Sequence, residues 1–91
     1  MDFGQAIASL KAGQRVARQG WNGKGMWLEL QVPDAHSKMT LPYAYLNYPD
    51  NATNTPGARV PWLASQTDML AEDWETVPTA NALRPVDGGD A

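Results

Sequence analysis

From Met26 to Val32 the chain alternates, with Met26, Leu28, Leu30 and Val32 pointing one way and Trp27, Glu29 and Gln31 the other. Successive side chains of a strand fall on opposite faces, so this two-residue period is the strongest strand signal in the sequence. Its predicted partner is Arg15-Val16-Ala17-Arg18, a short run bounded by Gly13 and Gly20. The two are expected to form an antiparallel pair joined through the Asn22-Gly23 loop. Pro42 to Pro49 reads as another strand with proline at both ends, which suggests a sheet edge. Ala58-Arg59-Val60 and Trp74-Glu75-Thr76-Val77 read as two further strands.

Two helices complete the pattern. Asp2 and Gln5 have capping-box spacing ahead of Phe3, Ile7 and Leu10 on one face, and Gly13 is placed to stop that helix. Ser65 and Asp68 repeat the spacing, predicting a helix of about two turns from Gln66 to near Glu72. The expected fold is a small α+β domain: a mostly antiparallel sheet with one N-terminal helix and one short capped helix. Residues 1–78 are expected to form that single ligand-binding domain, and residues 79–91 a disordered tail with little to bury.

Composition narrows the function. At 91 residues the chain has a thin core, burying about 60 to 65% of its unfolded surface, and small chains often add a staple or a partner subunit. There is no cysteine, and a single histidine, His36, cannot anchor a zinc site alone. Self-association is therefore the default expectation. A net charge of -3 argues against binding long nucleic acid, which needs a basic face to neutralise phosphates. No apolar run approaches the ~18 residues of a membrane span, and MDFGQAIASL has no basic stretch ahead of an apolar one, so a cytosolic protein is expected.

Catalytic constellations are weakly represented. Ser65 and Thr67 lack an obvious histidine partner, since His36 lies in the least patterned loop. Asp68, Glu72 and Asp73 are better explained as a cap residue and a solvated helix face than as a catalytic carboxylate set. The glycines of Gly20-Trp21-Asn22-Gly23-Lys24-Gly25 follow neither the dinucleotide nor the phosphate-loop order.

What remains suits binding without reaction. Trp21 lies among Gly and Asn where a ring is hard to bury locally, while Trp62 and Trp74 frame the capped helix. Tryptophan faces stack on nucleobases. Asn22, Ser65, Gln66, Thr67 and Asp68 offer hydrogen bonds to ribose hydroxyls or base edges, and Arg18 or Lys24 adds charge for phosphate. Packing is the favoured use of Trp27 and Trp74, and a site the favoured use of Trp21. Trp62 and Arg18 divide evenly between the two.

Two blocks sharpen the expectation. VARQGWNGKGMWL (residues 16–28) and PWLASQTDMLAEDW (residues 61–74) resemble the second type of Thoeris anti-defence protein, a family of short phage and prophage proteins. The likeness spans roughly residues 1 to 32 and 58 to 77. It implies a sponge that binds cyclic ADP-ribose-type immune messengers, and in some relatives cyclic oligonucleotides, without degrading them. It further implies a homotetramer, a dimer of dimers, with pockets between subunits in the cytoplasm of the infected bacterium. Trp21 and Asn22 of the first block, with Trp62, Gln66, Thr67 and Asp68 of the second, would line the pocket, and neither catalyst, cofactor nor metal is implied. A protein-interaction module without a nucleotide ligand, or a small cyclic-nucleotide hydrolase, stays open as an alternative.

Overall fold

The computed structural model describes residues 1–21 and 25–78. Helix α1 (Phe3–Lys11) leads into β1 (Arg15–Arg18), β2 (Trp27–Gln31), β3 (Tyr43–Asn47) and β4 (Arg59–Pro61). Helix α2 (Gln66–Leu70) and β5 (Trp74–Val77) follow. The strands form one antiparallel sheet in the order β4-β3-β2-β1-β5, giving the expected small α+β fold.

Both capping boxes are closed. The Asp2 carboxylate accepts from the Gln5 N–H while the Gln5 side chain accepts from the Asp2 N–H, and Ser65 and Asp68 make the same reciprocal pair on α2. After α1, Gly13 takes a φ of 89°, a left-handed backbone that only glycine adopts without strain. The chain then reverses into β1.

Register decides which side chains share a face. Val16 pairs with Leu28, Leu28 with Leu46 and Leu46 with Val60, so one apolar row crosses four strands. Helix α1 lies on that row, burying Ala6 and Leu10 against Val16, Leu28 and Trp74, with Phe3 and Ile7 half-buried at its flanks. The opposite face carries Arg15, Trp27, Glu29 and Tyr45, and no helix covers it among the described residues.

Three expectations need correction. The proline-flanked strand is interior rather than an edge: β3 bonds to both β2 and β4, because Pro42 and Pro49 lie just outside its five paired residues and take no N–H from its ladder. The edge is β4, with Pro61 at its last position. Val32 is 65% exposed rather than in line with Leu28, since β2 ends at Gln31, one residue before it. Helix α2 stops at Leu70, short of Glu72, because Ala71 is already extended and Asp73 turns back toward β1. The loop residues Asn22, Gly23 and Lys24 and the tail from residue 79 lie outside the described residues.

Candidate functional site

Strand β1 ends at Arg18, and the next three residues are held by a chain segment far away in sequence. Gln19 donates its N–H to the Asp73 carbonyl at 3.2 Å, and Gly20 donates its N–H to Asp73 Oδ2 at 2.8 Å. Trp21 donates its N–H back to the Arg18 carbonyl at 3.3 Å, closing a tight turn. A side chain at residue 20 would put Cβ 2.7 Å from Asp73 Oδ2, so this approach requires glycine.

Arg18 is held in a double ion pair rather than standing as a free surface cation. Its Nε donates to Asp73 Oδ1 at 2.8 Å and its Nη1 to Asp68 Oδ1 at 3.0 Å, with its side chain only 15% exposed. These two hydrogen bonds raise its already high pKa, the one from Asp73 first. Asp68 Oδ1 also accepts the indole N–H of Trp21 at 3.1 Å, and Asp68 Oδ2 accepts the Ser65 N–H at 3.2 Å. Burial pushes the Asp68 carboxyl up, but the donors Trp21, Arg18 and Ser65 together outweigh it and hold it below the usual carboxylate value. Arg18, aided by the Gly20 N–H, holds Asp73 low in the same way.

The rings pack around one centre. Trp74 is 2% exposed and donates its indole N–H to the Asp68 carbonyl at 3.0 Å. Trp21 meets it edge-on at 5.5 Å, Trp62 edge-on at 6.1 Å, and Phe3 at 5.7 Å. Trp74 is thus a packed residue whose ring faces are unavailable to a ligand within one subunit. Trp21 and Trp62, both half-buried, each pack edge-on against it.

Each of the outer rings borders its own depression. Trp21, with Arg18, Gln19, Met26 and Glu75, lines an open concavity of about 330 Å³. Trp62, with Met39, Leu41 and Tyr43, lines an apolar groove of about 540 Å³. Both fall in the range of small-molecule sites, about 300 to 1,000 Å³. Ser65, Gln66 and Thr67 stand exposed at the start of α2. The structure therefore brings Arg18, Trp21, Asp68 and Trp74 into one network with Ser65 at its rim, while Trp62 packs on Trp74 and lines the other depression. Asn22 and Lys24 fall outside the described residues.

Two features escaped sequence reasoning. Asp73 holds residues 18 to 20, and only the requirement for glycine at residue 20 hints at it. On the uncovered sheet face, Glu29 accepts from the Trp27 indole N–H at 2.8 Å and the Tyr45 hydroxyl at 2.9 Å, and pairs with Arg15 Nε at 3.2 Å. The Arg15 guanidinium lies 4.6 Å from the Trp27 ring centre. Among the described residues no group of three His, Asp or Glu side chains is placed to hold a metal ion. None of the described helices is long and apolar enough to cross a membrane.

A half-buried tryptophan tied to a carboxylate beside an open concavity, on an α+β sheet with two capped helices, defines a small domain built around an aromatic cluster. The Thoeris anti-defense 2-like domain model, Tad2-like, matches residues 1–77, and the chain belongs to that family. It is 42% identical over 87 residues to Thoeris anti-defense 2 of Bacillus phage SP01, a match covering 85% of this chain and 94% of that protein. Family membership supports a phage anti-defence role.

Proposed function

We propose that the chain exerts its anti-defence role by binding cyclic ADP-ribose-type messengers and holding them intact, with cyclic oligonucleotides as a further ligand class. The observation that carries this is Trp21: a ring fixed by its indole N–H on Asp68 and edge-on against Trp74, beside an open concavity of about 330 Å³. A ring held this way loses little freedom when a base stacks on it, and such stacking contributes about 1 to 3 kcal/mol per base.

Sequestration rather than hydrolysis is supported by the state of the carboxylates. A general base works best with a pKa near the working pH, whereas Asp68 and Asp73 are both held low and already accept donors. Affinity and abundance then do the work, each 1.4 kcal/mol lowering the free messenger about tenfold. Assembly as a homotetramer, a dimer of dimers acting in the cytoplasm of the infected bacterium, belongs to the same proposal. It is supported by Trp21 and Trp62 lining different depressions of one subunit and by exposed Leu41 and Met39 (75% and 61%) beside Trp62.

The test is to incubate the purified protein with cyclic ADP-ribose, remove free small molecules, denature the protein and identify what is released. Intact nucleotide supports sequestration, and altered nucleotide points to an enzyme. Release of nothing favours a protein-interaction module.

A further inference from the structure

We propose that Asp73 is a positioning residue for Trp21, acting through Arg18 and Gly20; this rests on Trp21 being the stacking ring of the proposed site. Three consecutive residues ahead of Trp21 are anchored on this one aspartate: Arg18 by its guanidinium, Gly20 by its N–H on the carboxylate, and Gln19 by its N–H on the carbonyl. Arg18 then carries the connection onward to Asp68, which accepts the Trp21 indole N–H.

The ring is thereby held at both ends. Its backbone is placed by Asp73, and its N–H is placed by Asp68. Removing the Asp73 carboxylate takes away the hydrogen bonds from Arg18 Nε and the Gly20 N–H, and leaves the Gln19 N–H on the residue-73 carbonyl at 3.2 Å and the Trp21 N–H on the Arg18 carbonyl at 3.3 Å. Asp73 lies in neither depression's lining, so it acts on ligand through Trp21 and not by contact. Glycine at residue 20 belongs to the same device, because any Cβ there would collide with Asp73 Oδ2.

The test compares wild type with Asp73→Asn and Gly20→Ala in the full chain, reading two signals. One is the indole N–H resonances in a ¹H–¹⁵N spectrum, with Trp21 assigned from Trp21→Phe. The other is calorimetric affinity for cyclic ADP-ribose. In both variants the Trp21 indole resonance is expected to move toward the position of an unbonded indole while that of Trp74 stays. Affinity is expected to fall at least about tenfold, within the range that losing one base stack produces. Unchanged Trp21 resonance and affinity overturn the proposal. So does a joint shift of the Trp21 and Trp74 resonances in step with the melting temperature, which marks a purely structural role. If wild type binds no cyclic ADP-ribose, the sponge proposal fails by itself, and the indole resonances alone decide whether Asp73 positions Trp21.

Discussion

The two faces of the sheet each carry a carboxylate hub, but they differ in what surrounds it. On the helix-covered face Asp68 accepts from Arg18, Trp21 and Ser65 while its carbonyl takes the indole N–H of buried Trp74. On the open face Glu29 accepts from Trp27 and Tyr45 and pairs with Arg15, with its side chain 29% exposed. The donor types are the same: an arginine, an indole and one more. Only the first hub joins elements distant in the chain to a packed aromatic cluster. Its hydrogen bonds therefore set the aim of a ring, while those of the second stiffen a surface that water can reach.

The sharpest way to break this contrast is to delete one indole from each face. Trp74→Ala should cost about 3 to 5 kcal/mol in urea unfolding, as for a large aromatic removed from a core. Trp27→Ala should cost less than half as much. Equal costs would mean that a second copy covers the open face in solution. Trp21→Ala should weaken cyclic ADP-ribose binding by the equivalent of about 1 to 3 kcal/mol in calorimetry. Trp27→Ala should leave the affinity as it was, and any loss there would relocate the site.

Arg18→Met should lower the melting temperature more than Arg15→Met, since it strips the cation from two carboxylates at once. Acid sharpens the same point. Asp68 and Asp73 have folded pKa values below their unfolded ones, so their contribution is fully present above the unfolded carboxylate value of about 4. It is lost as pH falls through the depressed native values. Denaturation midpoints should hold from pH 7 to about 5 and then decline, and Asp73→Asn should flatten the decline. The smallest effect expected is Tyr45→Phe, which removes one hydrogen bond on the open face and should cost below about 1 kcal/mol in urea.

Elements whose cause is local could be read directly. The capping boxes at Asp2 and Ser65 involve residues three apart, and the alternation from Met26 belongs to single-residue steps, so both helices and the main strand follow from short stretches. The proline reading of β3 failed because proline forbids a ladder bond only at its own position, and both prolines fall outside the paired residues. Trp21 seemed hard to bury because its sequence neighbours are glycine and asparagine. Its actual neighbours are Trp74 and Asp68, the latter 47 residues away.

The sequence alone determined the element types, the caps, and the two blocks whose likeness points to the anti-defence family. Tertiary structure alone decided which arginine is half-buried in a double ion pair, which tryptophan is core, and that Asp73 holds the turn before Trp21. The physical reason is range. Propensity, capping and pleat act over one to four residues, whereas the partners Arg18 and Asp73 are 55 residues apart and meet only because β5 pairs in register with β1.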